Sequence, residues 1–192
     1  QERARAGRRI TAVVPIIAIF YYLVQRLSEE RAAGRILAFE KRLPQAYSYA
    51  AGFLLVVLAR FELGRSLTVL AWALIGFIFL TLGISWRDRD LRIQACLLAI
   101  LTFWRSWSTN FYLIGSFYGM PERIATMIPA IASLYASQLL CLRNRDVLYE
   151  ASAGQKTRIL SRLDAASRHL FSSLASLLLA ILLYYQVRGN LL

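Results

Sequence analysis

The chain alternates long apolar runs with short segments rich in charge. The runs bounded by charged residues are Ile10 to Val24, Leu43 to Ala59, Leu67 to Trp86, Leu91 to Trp104, Ile124 to Leu142 and Leu170 to Val187. At about 1.5 Å of rise per helical residue, the longer runs extend roughly 27 to 30 Å, which matches a hydrocarbon core of about 30 Å. The pattern predicts an all-α integral membrane bundle whose helices cross the bilayer and are arranged as hairpins.

Two of the runs are short for a membrane span. Ile10 to Val24 has 15 residues and Leu91 to Trp104 has 14. Such runs reach both interfaces only when flanking tyrosine, tryptophan and arginine side chains extend toward the headgroups. A re-entrant position is the alternative for both.

A seventh apolar segment, Asn110 to Met120, is short and interrupted by glycine. Aromatic residues cluster in and around it, as they do where a membrane protein meets the headgroup layer. We expect a half-buried loop or hairpin in an aromatic belt, with fusion to the preceding helix as the alternative. The chain is therefore expected to have six or seven spans.

Two polar stretches separate the spans. Residues 27–43 place Ile36 and Phe39 at helical spacing among charged residues, and residues 152–168 place Ile159 and Leu163 on one helical face with basic residues largely opposite. This pattern is typical of an amphipathic helix that lies in the headgroup layer. A solvated helical linker is the alternative for residues 152–168.

Composition supports a lipid environment. Hydrophobic residues make up 58% of the 192 residues, charged residues 18%, and the mean hydropathy is +0.49. A soluble domain carries about 45 to 50% apolar and about 25% charged residues, so the excess must face lipid. The same figures exclude a disordered chain, a disulfide-rich secreted module and a fibrous repeat.

The net charge of +12 comes from arginines that lie between the apolar runs. There they are expected to bind lipid phosphates, so membrane lipids and no nucleic acid are the expected partners. The expected interfacial anchors are Trp104, Arg105, Trp107, Arg123, Arg158, Arg162 and Arg168.

Orientation stays open at the level of sequence. With six spans, lysine and arginine total 14 on the side that holds residues 25–45, 85–92 and 142–168, and 9 on the other side. That balance makes the first side cytoplasmic. A seventh span changes the totals to 10 and 13 and reverses the inference.

Residues that carry catalytic or metal chemistry are sparse. His169 is the only histidine, and Cys96 and Cys141 lie 45 positions apart within apolar runs, where we expect small buried hydrophobes. Six carboxylates have an arginine within three positions, which indicates local charge compensation; they are Glu62, Asp88, Asp90, Glu122, Asp146 and Asp164. We expect no cofactor, no metal site and no catalytic residue.

Two further sets of residues concern packing and transport. Small residues spaced four apart, which let helix backbones approach closely, are Ser172, Ser176 and Ala180 in the last run, and Ser133 and Ser137 in the one before it. A transport path, if there is one, would use Pro129, Gln138 and Asn110.

Several motifs resemble a known family. They are the Leu-Thr-x-x-Ala-Trp-Ala-Leu-x-Gly run from Leu67 to Gly76, the turn from Gly83 to Arg92, and Pro121-Glu122-Arg123 before a helix rich in small residues. They are similar to those of bacterial multi-pass membrane proteins grouped as domain of unknown function 2339, over about two thirds of the chain. The resemblance implies an array of many short transmembrane helices, and no activity or site residue comes with it.

A repeat is also visible, since Tyr185 to Leu191 is comparable to Phe61 to Leu67. The chain begins with Gln1, and we expect it to be part of a longer polypeptide.

These features favour a non-catalytic membrane scaffold or accessory subunit in a bacterial inner membrane, with protein partners in a complex or a homo-oligomer. The alternatives are a transporter or channel-like element, and an enzyme that acts on lipid-linked substrates.

Overall fold

A computed structural model describes residues 43–112, 115–117, 119–144 and 159–190, together with positions 15, 19 and 22. The chain divides into two compact units, Gln1–Glu62 and Leu63–Leu192. In the first unit, the predicted run from Ile10 to Val24 is described only at those three positions, which are helical. The predicted connector over residues 27–43 lies outside the described residues except for its last position.

Each of the other five apolar runs lies within one helix, except that Trp86 directly follows the last residue of its helix, and this confirms an all-α protein. The helices are α1 (Leu43–Glu62) in the first unit, and α2 (Gly64–Ser85), α3 (Arg89–Ser108), α4 (Glu122–Arg143) and α5 (Ile159–Asn190) in the second. Helix α5 is continuous over 32 residues, so residues 159–168 of the second predicted connector begin the same helix that contains the last apolar run. Residues 152–158 of that connector lie outside the described residues.

Three of the described helices are long and apolar enough to cross a membrane. The qualifying segments are Ser66–Ser85 in α2, Glu122–Arg143 in α4 and His169–Val187 in α5. Helix α3 carries Asp90 and Arg92 near its start and Arg105 near its end, and these charges lower its hydropathy. The described residues therefore support three spans, and the larger number stays a prediction.

The segment between α3 and α4 is a short hairpin. Helix α3 ends at Ser108, a 3₁₀ turn covers Asn110–Tyr112, and strands β1 (Ser116–Phe117) and β2 (Met120–Pro121) pair antiparallel around Gly119, whose φ is +81°. Asn110 and Phe111 are buried, whereas Tyr112 and Met120 are exposed. This confirms the prediction of a half-buried loop or hairpin, and the segment does not continue helix α3.

The four helices of the second unit form a bundle. Helix α2 packs along α3 and α4, and α5 packs along α4 and α3. The connection from α2 to α3 has only three residues, Trp86 to Asp88, so the two helices run in opposite directions. Helices α4 and α5 also run in opposite directions, because Arg123 Nη2 bonds to Gln186 Oε1 while Tyr135 Oη lies 3.0 Å from Ser176 Oγ.

These directions give the bundle two ends. We call the end that holds Ser66, Asn110, Thr126 and Tyr185 the asparagine end. The opposite end, which holds Gly83, Arg92, Arg143 and His169, is the arginine end. Helices α2 and α4 start at the asparagine end, and α3 and α5 finish there.

The centre of the bundle is filled by a mixture of small and large side chains. Ala73, Gly76, Ala95, Ala99 and Ser137 line a narrow cleft between the helices together with Trp72, Phe77, Leu134 and Phe171. No room for a water molecule remains among these nine residues. Close packing of this kind keeps the helices in one arrangement.

At the arginine end, Gly83 lets α2 approach the start of α3. A Cβ atom on Gly83 would lie 2.8 Å from Arg92 Cγ and 3.0 Å from both Arg92 N and Asp88 O. Asp88 Oδ1 caps α3 by accepting a bond from Asp90 N at 2.8 Å, and Arg87 takes a φ of 53° in the turn. The Gly83 to Arg92 turn is therefore a tight steric fit.

We expect Gly83→Ala to lower the free energy of unfolding by about 1 to 3 kcal/mol, because the added methyl group overpacks this contact. The measurement is thermal unfolding in a mild detergent. Gly76→Ala is the matched control, since a Cβ atom there would lie 3.4 Å from Leu98 Cβ, an ordinary contact. Equal losses in the two variants would contradict the tight fit at Gly83.

Candidate functional site

The asparagine end has a polar interior. The buried polar residues near this end are Thr68, Thr102, Ser106, Asn110 and Thr126. Most of their hydroxyl groups bond within their own helices: Ser106 Oγ donates to Thr102 O at 2.7 Å, and Thr68 Oγ1 donates to Gly64 O. Asn110 is different, because its side chain bonds to two other helices.

Asn110 joins the first turns of α2 and α4. Its Nδ2 donates to Ser66 O at 3.1 Å and to Thr126 Oγ1 at 3.3 Å, and Thr126 Oγ1 donates in turn to Glu122 O at 2.9 Å. Asn110 is completely buried. Two oxygen atoms here, Asn110 Oδ1 and Thr102 Oγ1, have no hydrogen-bond partner among the described residues. Because these bonds are shielded from water, breaking them is costly.

Aromatic rings tie α5 to the same end. Phe111 stacks on Tyr185 with ring centroids 5.6 Å apart and planes 16° apart, and Tyr112 meets the edge of Tyr185 at 6.1 Å. Arg123 Nη2 bonds to Gln186 Oε1 at 3.3 Å on the neighbouring turn. The segment after α3 therefore contacts all three other helices at this end.

The outside of the asparagine end is an aromatic rim. The exposed aromatic residues are Trp104, Trp107, Tyr112 and Tyr184. Two of the predicted anchors, Arg105 and Arg123, are half-buried beside them. Among the other predicted anchors, Arg158 lies outside the described residues, and Arg162 and Arg168 are described only as backbone positions of α5.

The small residues predicted to pack occupy different environments. Ser137 is buried, Ser133 and Ser172 are half-buried, and Ser176 and Ala180 are exposed. The buried positions of α5 are Phe171, Ala175, Leu178 and Leu182. The buried stripe of α5 is therefore adjacent to the stripe of small residues that was predicted to pack.

The residues predicted for a transport path do not form one site. Pro129 is exposed, Gln138 is half-buried and Asn110 is buried at the asparagine end. Asn110 bonds to Thr126, and Gln138 lies twelve positions further along α4, about 18 Å at about 1.5 Å per residue. The two amides are at different depths of the bundle.

One buried charged residue was missed by sequence reasoning. Arg92 is only 1% exposed, and its Nη1 donates to Gly83 O at 3.3 Å. The pattern placed it in the charged turn before α3. The sequence feature that could have identified Arg92 is its position between two aliphatic residues, Leu91 and Ile93. Both of these neighbours are buried. An ionisable residue flanked by two buried aliphatics must itself face inward or be covered by a neighbouring segment.

Cys96 and Cys141 are both completely buried, which confirms the expectation of small buried hydrophobes. Within the described ranges, no group of three or more histidine, cysteine or carboxylate side chains is placed to bind a metal ion. Comparison with protein-family models, curated proteins and solved structures finds no match to this chain.

The most specific polar arrangement in the described part of the chain is thus the Asn110 bridge. We expect Asn110→Ala to lower the free energy of unfolding by about 1 to 3 kcal/mol, because Thr126 and Ser66 lose a buried donor. Thermal unfolding in detergent measures the change.

Asn144→Ala is the matched control for this substitution. Asn144 caps the end of α4, its Nδ2 donates to Leu140 O of that helix at 2.9 Å, and the residue is only half-buried. We expect a loss under about 1 kcal/mol for a local bond of this kind. If Asn144→Ala lowered the free energy of unfolding as much as Asn110→Ala, the bridge between helices would stabilise the protein no more than a local bond does.

Proposed function

We propose that this chain is an integral membrane protein that acts as a non-catalytic scaffold or accessory subunit of a membrane complex. One observation carries the proposal: all four helices of the second unit expose large aliphatic side chains. They are Leu74, Ile78, Leu97, Ile100, Leu101, Ile128, Leu139, Leu142, Leu177, Leu179 and Leu183.

A surface of this kind suits lipid and not water. Soluble monomers rarely expose contiguous apolar patches larger than a few hundred Å². Here the exposed aliphatic residues lie between two aromatic borders, with Trp86 at the arginine end and Trp104 and Trp107 at the asparagine end. From Ser66 to Ser85, α2 rises about 28 Å, close to the thickness of a hydrocarbon core.

The interior supports a structural role. The central side chains leave no room for water among them, and Asn110 bonds two helices together at one end. Such packing yields a rigid body with an apolar outer face. That face is available to lipid or to the helices of a partner, in a complex or in a homo-oligomer.

The proposal also includes the finer topology. Helices α1 and α3 and the run from Ile10 to Val24 would add to the three apolar spans, giving six spans paired as hairpins in a bacterial inner membrane. The seventh expected span, Asn110 to Met120, is not among them, because that segment forms the short hairpin. The resemblance to the family of domain of unknown function 2339 supports this array. It adds no substrate or reaction.

A charge placed on the outer face distinguishes lipid from water. Ile78 is 52% exposed near the middle of α2. In lipid, Ile78→Arg costs about 2.5 to 3.5 kcal/mol, so we expect a several-fold loss of membrane-integrated protein. The measurement is the amount of protein that remains in membranes after alkaline carbonate extraction.

Met120→Arg is the control for this test, because Met120 is 56% exposed in the hairpin at the asparagine end, at headgroup depth. We expect it to leave membrane integration unchanged. If Ile78→Arg were as well tolerated as Met120→Arg, the aliphatic surface would be facing water and the proposal would fail.

The scaffold role is tested by site-specific crosslinking. A photoreactive side chain is placed at one exposed position on each helix, at Ile78, Leu101, Leu139 and Leu183. We expect a discrete protein–protein product from at least one helix face, since a scaffold holds its partner in a fixed position. Lipid adducts alone at all four positions would refute the scaffold role and leave membrane insertion intact.

A further inference from the structure

The two ends of the bundle carry unequal numbers of basic residues. Among the described residues from position 63 onward, six arginines lie toward the arginine end and four toward the asparagine end. The six are Arg87, Arg89, Arg92, Arg143, Arg162 and Arg168. The four are Arg65, Arg105, Arg123 and Arg188.

The assignment of these residues to the two ends depends on whether the segment between α3 and α4 crosses the membrane. The structure of that segment answers this question. If residues 110–120 crossed the membrane, every later loop would change sides. Instead they form a 3₁₀ turn and a two-residue strand pair at one end of the bundle. Asn110, just after α3, bonds to Ser66 in the first turn of α2, so α3 returns to the level at which α2 began.

The two ends also differ in how their arginines are presented. At the arginine end, Arg87 and Arg143 are exposed, and so is Trp86, which directly precedes Arg87. At the asparagine end, Arg105 and Arg123 are half-buried, and Arg123 is bonded to Gln186. Fewer cationic groups are therefore available to headgroups at the asparagine end.

We infer that the arginine end is the cytoplasmic face of the bundle and contacts the anionic headgroups of that leaflet. The inference rests on the proposed membrane insertion. Loops rich in lysine and arginine are retained on the cytoplasmic side, and anionic lipids attract the same cations. Acidic residues contribute little to this bias, so Asp88 and Asp90 do not cancel it.

Cysteine accessibility tests the orientation. The natural Cys96 and Cys141 are completely buried, so a new cysteine can be labelled against a low background. Ser85→Cys places a thiol at an exposed position of the arginine end, and Met120→Cys places one at an exposed position of the asparagine end. Intact cells that express the full chain are treated with a membrane-impermeant maleimide, before and after permeabilisation.

We expect Met120→Cys to be labelled in intact cells and Ser85→Cys to be labelled only after permeabilisation, with at least a tenfold contrast between the two. Labelling of Ser85→Cys alone in intact cells would overturn the orientation and leave the proposed insertion standing. Equal labelling of both variants, either in intact cells or only after permeabilisation, would overturn the spanning arrangement as well.

Two neutralising substitutions in one helix test the headgroup contact. Arg143→Gln removes a cation from the arginine end of α4, and Arg123→Gln removes one from its asparagine end. The probe is phosphatidylglycerol, compared with phosphatidylcholine as bound lipid in native mass spectra of the purified protein. We expect Arg143→Gln to reduce the preference for phosphatidylglycerol at least twofold, and by more than Arg123→Gln does. An equal or larger reduction in Arg123→Gln would overturn the proposed headgroup contact.

Discussion

The apolar outer surface of the bundle is the constraint on which the rest of the structure depends. If this surface faces lipid, as we propose, its groups find no hydrogen-bond partner outside the protein, so each polar group must be satisfied within it. Within the spans, hydroxyl groups meet this demand locally. Thr81 Oγ1 donates to Phe77 O at 2.8 Å, and Ser137 Oγ donates to Ser133 O at 2.8 Å. Such bonds let a serine or threonine lie in an apolar helix without a partner on another helix.

Polar contacts between helices are few, and most of those described lie near the ends of the bundle. At one end Asn110 bonds to α2 and α4, and at the other Arg92 bonds to Gly83 O across a tight fit. In the middle, Tyr135 Oη lies 3.0 Å from Ser176 Oγ and joins α4 to α5. Close packing therefore holds the helices together along their length, and these polar contacts set their register.

The sequence predicted the positions of the helices well, because an apolar run between charges has a length that can be compared directly with a bilayer. It predicted poorly which face of each helix is buried in the bundle. In α5, Ser176 is exposed and its neighbour Ala175 is buried, although both are small residues within the same apolar run. When lipid and protein interior are both apolar, hydrophobic periodicity does not tell which face of a helix turns inward. Asn110 was singled out for its polarity, but its partner Ser66 is 44 positions away, a pairing that only the fold reveals.

Helix α3 does not qualify as a span by hydropathy, yet it packs along α2 and α5 in the bundle. Its charged residues lower its average, yet residues 91–96 are all buried, and Arg92 among them is covered by the packed bundle. Three residues separate the end of α2 from the start of α3, and Asn110, just after the far end of α3, bonds back to the start of α2. A helix fixed at both ends to a neighbour covers the same depth as that neighbour. If α2 crosses the bilayer, α3 must cross beside it, with its polar residues covered by the helices whose surfaces meet the lipid.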